Sequence, residues 1–363
     1  MPTERRECVH NARMMITAQT KPLVAPSAGF RTSPARPAAL LARCPAYTPT
    51  PLADAEPLAS ALGIDRLWIK DETARMNLGS FKALGGAFAV VQMILDRAGV
   101  SDPMSDVARQ VAGSLTFVTA SAGNHGLSVA AGAQVFGAQA RIVLSASVPG
   151  SFASRIESTG AQVVRVDGSY EDSVAEAVRL AADNGWIHLA DGSWPGYTAE
   201  PALVMEGYTV LAEECRQAFV AQGSWPTHVL LQAGVGGLAA ATAAHIRRHW
   251  AEQPQIVIVE PEAAPCLMNS VKAGQLQRAP GPMSNMGRLD CKDASMLAFD
   301  TLRHEANAFV TISDAAAGQA VTDLATAGIR TTPSGGAGLA ALQALDLPSN
   351  ARAMIIASEG PES

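Results

Sequence analysis

Hydrophobic positions along this chain alternate between two rhythms. Short runs rich in Val, Ile, Leu and Phe alternate with longer segments in which Ala and Leu recur at helical spacing. RLWIK (66–70), SLTFVTA (114–120), ARIVLSA (140–146), QVVRVDG (162–168), HVLLQA (228–233), QIVIVEPE (255–262) and ARAMIIASEG (351–360) read as strands. Between them, segments 80–99, 123–137, 151–161, 169–185 and 238–250 read as helices, the first with Ser80 as its N-cap. Strands separated by helices pair in parallel through right-handed crossovers, so the pattern predicts α/β layers with helices on both faces. No repeat of solenoid period is present.

Composition narrows the function classes. The chain has 363 residues, 48% hydrophobic and 17% charged, which suits a soluble globular protein of two domains or lobes. Its net charge of -6 implies no basic face for nucleic acid. Apolar stretches are too short to span a membrane; the small-residue run from Leu230 to His245 is broken by Gly234, Gly236 and Gly237. Five cysteines without a CxxC read as reduced thiols in a cytoplasmic protein. The first 44 residues, rich in Pro and Arg, read as an irregular extension without a signal-type apolar core.

Three strand–loop–helix junctions, 71–82, 120–126 and 233–238, are built from small residues where ligands bind in open α/β sheets. AGVGGLA (233–239) suits a phosphate cradle of backbone N–H groups, favoured by its four small residues over a tight turn without a ligand. Gly234-x-Gly236-x-x-Ala239 with Glu260 at the next strand end also fits a dinucleotide pattern, so a nicotinamide-dependent dehydrogenase is a rival reading. SAGNHG (121–126) suits a carboxylate, or is a capping loop. No second histidine stands at metal-ligand spacing from His125, so no metal site is expected. Lys82 lies in a helix's first turn beside apolar residues, where the dipole and desolvation disfavour its charge and raise its nucleophilicity. A lone lysine of this kind also fits a snorkelling surface residue. A reactive lysine, a phosphate cradle and a carboxylate loop together describe pyridoxal phosphate and an amino acid.

YTPTPL (47–52), IKDE (69–72), GSFKALGG (79–86), TASAGNHG (119–126) and AGVGGLA (233–239), in this order, resemble the fold-type II pyridoxal-phosphate enzymes, the threonine dehydratase and threonine synthase group. Residues 189–214, 286–295 and 356–363 further resemble the diaminopropionate ammonia-lyases within that group. The resemblance implies a tryptophan synthase β-like fold: two open, mostly parallel sheets with helices on both faces. It places a large cofactor-binding domain at 45–82 and 196–363, a smaller α/β domain at 83–195, and the active site in the cleft between them, in a homodimer.

It also implies residue roles. Lys82 would carry the cofactor and move the proton. Phe81 would flank the pyridine ring and Asn124 would bond its 3′-oxygen. Gly234, Val235, Gly236, Gly237 and Leu238 would hold the phosphate. Ser121, Gly123 and His125 would contact the substrate carboxylate. Ser358, with Ser334 as second candidate, would face the pyridine nitrogen. Asp191 is either a second catalytic acid or an Asp-Gly turn residue. The ammonia-lyases carry an aspartate where this chain has Ala122, which turns the expectation toward an L-selective β-eliminating lyase. A serine/threonine dehydratase, a β-replacement enzyme of threonine or cysteine synthase type, a racemase, and a non-catalytic cofactor-binding protein are the alternatives. Arg288, Asp290 and Lys292 in loop 283–295 are expected near the substrate side chain, or are solvated.

Overall fold

The computed structural model describes residues 14–16, 29–121, 123–146, 148 and 150–361. Among these, eleven strands run in chain order: β1 Met14–Ile16, β2 Leu52–Asp54, β3 Arg66–Asp71, β4 Thr116–Ala120, β5 Gln139–Ser145, β6 Gln162–Val166, β7 Ile187–His188, β8 His228–Gln232, β9 Gln255–Pro261, β10 Ala308–Ile312 and β11 Arg352–Ala357. They form two sheets, each the centre of one compact unit.

The first unit comprises residues 1–34, 46–81 and 209–363, as far as they are described. Its seven-stranded sheet has the order β1-β10-β9-β8-β11-β3-β2. The inner strands are parallel, and β1 and β2 close the two edges antiparallel. Leu67, Trp68 and Ile69 of β3 are all fully buried, because helices cover both faces of a parallel sheet and leave no wet side. The carboxyl ends of β3, β11, β8 and β9 lie on one edge, where Ala357 pairs with Asp71 and Gln232 with Val259. The 71–81 loop, Ser358 and the glycine loop therefore all leave the sheet on the same side.

Buried charge pins the 71–81 loop. Arg75, fully buried, makes forked contacts with Glu72 (2.7 Å twice) and Glu214 (2.8 and 2.7 Å). Lys70 Nζ reaches Glu214 at 2.5 Å and the Thr50 carbonyl at 2.7 Å, and the Tyr47 hydroxyl donates to Glu214 at 2.8 Å. Two cations meet two carboxylates, so burial leaves no unpaired charge. This closure holds Met76 and Asn77 at φ of 50° and 57°, a region unfavourable to residues with a side chain.

The second unit comprises residues 35–45 and 82–208. Its four-stranded sheet, β6-β5-β4-β7, is parallel throughout. The Lys82–Ala98 helix packs on the Asn124–Phe136 helix and on the start of the Ala199–Gln222 helix. Its glycines make that approach possible. A Cβ on Gly86 would lie 2.6 Å from Ser128 Oγ, and one on Gly85 would lie 2.3 Å from the Tyr208 ring. Residues 196–208, assigned above to the larger domain, cluster here because Gly207 brings their helix against the Leu84 carbonyl.

Two expectations need correction. The segment before Pro45 is not irregular throughout: Met14–Ile16 pairs with β10, and Ala35–Leu41 is a helix. That helix is too short for a periodic signal; Arg36 Nε fixes it to the buried Glu206 at 2.7 Å, and Leu40 packs near Phe88. Nor does Ser80 cap the next helix. The helix starts at Lys82, while Ser80 bridges to Glu359 and its fully buried hydroxyl has no hydrogen-bond partner among the described residues.

Candidate active site

In the second unit, β4 pairs with β7, so the loops at their carboxyl ends emerge side by side. One is the Ser121 loop and the other carries Asp191. Lys82, first residue of its helix, donates from Nζ to the Asp191 carboxylate. Both side chains are about one-fifth exposed, at 21% each. Burial alone would raise the Asp191 carboxyl; the charge of Lys82 and its hydrogen bond outweigh it and hold the group below the usual carboxylate range. A cation is disfavoured at a helix start, and Asp191 supplies the compensating charge. Asp191 is therefore more than a turn residue.

His125 is 4% exposed, and its Nε2 donates to the Leu189 carbonyl at 2.8 Å. Burial pushes its imidazole below the ordinary range, against the pull of Asp191. The neutral ring then offers Nδ1 as an acceptor, buried and without a hydrogen-bond partner among the described residues. Behind it, burial pushes His188 down to about 4, and its ring packs against Tyr197 and Trp194. Ser121 Oγ accepts from the Gly123 N–H at 3.2 Å. The Asn124–Phe136 helix begins after Gly123 with no side-chain cap. Its first N–H groups are an anion site by construction. Ala122 lies outside the described residues.

In the first unit, the glycine loop joins β8 to the Gly237–His249 helix. Gly236 sits at φ 100°, and a Cβ there would meet Ala298 at 2.8 Å. At Gly234 a Cβ would meet Cys291 Sγ at 2.9 Å. This helix also begins without a side-chain cap or an acidic residue in its first turn. Bare N–H groups with a steric demand for glycine fit a phosphate rather than an ordinary capped turn. Phe81 donates its backbone N–H to the Ser358 carbonyl at 3.1 Å, which ties the residue before Lys82 to the end of β11. The Ser334 hydroxyl accepts from the Arg288 N–H at 3.1 Å, whereas the Ser358 hydroxyl makes no hydrogen bond to the described residues. Lys292 binds Asp290 and the carbonyls of Ala263 and Pro282, and Arg288 stands 3.9 Å from Glu359, so these charges brace their loop.

The dinucleotide reading fails on Glu260. Its carboxylate is fully buried and accepts the N–H groups of Leu267 and Met268 at 2.7 and 2.8 Å. It closes the start of the Cys266–Ala273 helix and is not available to a ribose. No cluster of metal-ligating side chains occurs among the described residues. Two contributors had no sequence signal of their own: Tyr208, whose ring lies 5.7 Å from Lys82 Nζ, and the Arg75–Glu214 network. Gly85 was the one visible clue to Tyr208, and only as a helix residue without an evident reason.

A lysine paired to an acid and an uncapped helix start in the second unit, and a glycine-rich loop before another uncapped helix in the first, have the chemistry that suits pyridoxal phosphate. The family model described as pyridoxal-phosphate dependent enzyme matches residues 44–359, and the chain belongs to that family. It is 33% identical over 276 residues to the diaminopropionate ammonia-lyase of Escherichia coli K12, covering 75% of this chain and 69% of that one. Solved structures of diaminopropionate ammonia-lyase from Escherichia coli, one with D-serine and one with an aminoacrylate-PLP azomethine reaction intermediate, superpose with TM-score 0.86 at 28% identity. They cover 96% and 97% of this chain and 94% of theirs. A probable D-serine dehydratase of Acidovorax sp. strain JS42 is 30% identical, over 62% of this chain and 54% of its own length. No helix among the described residues is long and apolar enough to cross a membrane.

Proposed function

We propose that this protein is an ammonia-lyase that eliminates a β-amino or β-hydroxyl group from an L-amino acid, giving a 2-oxo acid and ammonia. The observation that carries the reading is the Lys82–Asp191 pair at the mouth of the Ser121 loop. Pyridoxal phosphate, when bound, supplies an electron sink for the carbanion at Cα. Lys82 would hold the cofactor and, with its amine free, would take the α-proton on Nζ. The β-substituent leaves with its bonding pair, and the proton passes from Lys82 across its hydrogen bond to Asp191 and onto the leaving group. Ser121, Gly123 and the backbone N–H of His125 would orient the substrate carboxylate. Gly234, Val235, Gly236, Gly237 and Leu238 would hold the phosphate through backbone amides, Asn124 would bond the ring oxygen and Phe81 would flank the ring. Ser358, with its hydroxyl uncommitted, faces the pyridine nitrogen in preference to Ser334.

The L-preference rests on Ala122, where the ammonia-lyases carry an aspartate. A D-serine dehydratase-like activity is the second reading, favoured by the dehydratase relatives. A panel of L- and D-2,3-diaminopropionate, serine and threonine, scored for ammonia and 2-oxo acid, separates them. Turnover of a D-isomer as fast as its L-isomer sinks the L-selective reading. Lys82→Ala is expected to remove the visible absorbance of the purified protein; a variant that stays yellow refutes the lysine assignment. Reduced thiols at Cys44, Cys215, Cys266 and Cys291 support a cytoplasmic setting, and the family resemblance supports a homodimer, checked by light scattering.

A further inference from the structure

The ring of Tyr208 stands against Lys82, in a space that two glycines leave for it. Its side chain is 1% exposed, and Lys82 Nζ lies 5.7 Å from the ring centroid. The ring occupies a slot cut into the Lys82–Ala98 helix. A Cβ on Gly85 would stand 2.3 Å from Tyr208 Cε1, 2.8 Å from Cζ and 2.7 Å from the Val204 carbonyl. A Cβ on Gly207, next to the tyrosine, would stand 2.3 Å from the Leu84 carbonyl. Gly85 follows Lys82 by three residues, so the slot lies on the same helix face as the lysine. Burial pushes the phenol well above its ordinary range, against the pull of Lys82, and keeps it neutral.

We propose that Tyr208 is a positioning residue for Lys82: its ring, seated in the Gly85 slot, holds Nζ toward Asp191 whenever the lysine is released from the cofactor. The inference rests on the reading that Lys82 carries the cofactor. A cation over an aromatic face is favoured most where water is excluded. Without that face the freed lysine has other rotamers open to it and takes the α-proton less often.

The test uses Tyr208→Phe, which keeps the ring, Tyr208→Leu, which removes it, and Gly85→Ala, which displaces it. In the apoprotein, labelling of Lys82 by acetic anhydride near neutral pH is followed by mass spectrometry. Tyr208→Leu and Gly85→Ala should label faster by roughly three- to thirtyfold, and Tyr208→Phe close to wild type. In the holoenzyme the same two variants should lose kcat with KM nearly unchanged, the signature of an interaction used after substrate binds. Wild-type labelling and kcat in Tyr208→Leu overturn the proposal. So does Tyr208→Phe behaving like Tyr208→Leu, which would assign the role to the hydroxyl. Gly85→Ala gives the same answer if Tyr208→Leu does not fold. Retention of visible absorbance by Lys82→Ala would instead overturn the lysine assignment beneath it.

Discussion

Lys82 and Asp191 are joined by a charge-assisted hydrogen bond, although 109 positions separate them in the chain. The lysine opens a helix, the aspartate follows a strand, and the pairing of β4 with β7 brings the aspartate's loop beside the Ser121 loop. Under the proposed mechanism, the amine thus has its proton partner already in place.

Asp191→Asn should lower kcat by roughly 10²–10⁴-fold, the range for loss of a positioned proton-transfer group. The pH dependence follows from the direction of the shift. The folded-state pKa lies below the ordinary value of 3.8, so the pair's contribution to stability is present above that value and lost as pH falls through the folded one. Wild type and Asp191→Asn should therefore differ in thermal midpoint at neutral pH and converge in strong acid, as read by circular dichroism melts.

Glu214→Ala should be among the most damaging changes away from the reacting groups. It leaves Arg75 and Lys70 buried with half their partners gone, a loss of about 3–5 kcal/mol. Urea unfolding would show a lower midpoint at similar slope. The 71–81 loop should loosen with it, seen as faster hydrogen exchange.

Glu260→Ala tests the role assigned to that carboxylate. Removing it leaves the Leu267 and Met268 N–H groups unsatisfied, at a cost of about 1–3 kcal/mol for a buried donor. The visible absorbance of the cofactor-bound enzyme should be retained. Binding of NADH, followed by its fluorescence, should be absent from wild type and variant alike.

Ala122→Asp restores the acid that the ammonia-lyases carry in this loop. The variant should gain turnover of D-diaminopropionate relative to the L-isomer, measured as the ratio of the two kcat/KM values. An unchanged ratio would remove Ala122 as the determinant of stereochemical preference.

Several features were legible from local pattern alone. Each strand run named from its β-branched and aromatic residues is a strand, because a parallel sheet buries both faces and demands such residues there. Gly236 was legible as a position needing glycine, and its φ of 100° shows why. Other positions were misread for lack of a local signature. Ser80 looks like a cap, yet its strand bridge to Glu359 takes the backbone elsewhere. Glu260 looks like a ribose ligand, yet the next helix consumes both its oxygens. The Ala35–Leu41 helix owes its place to an ion pair with Glu206, far along the chain.

By itself, the sequence determined the alternation of strands and helices, the glycines that backbone geometry requires and the presence of Lys82 at a helix start. These follow from short-range physics: propensity, periodicity and φ restriction. Only the tertiary structure decided that Asp191 pairs with Lys82, that His125 offers its Nδ1, that Glu260 is spent on a helix and that Tyr208 lies against the lysine. Each of those depends on what a side chain meets across the fold, and in a low-dielectric interior that neighbour sets charge, proton affinity and orientation.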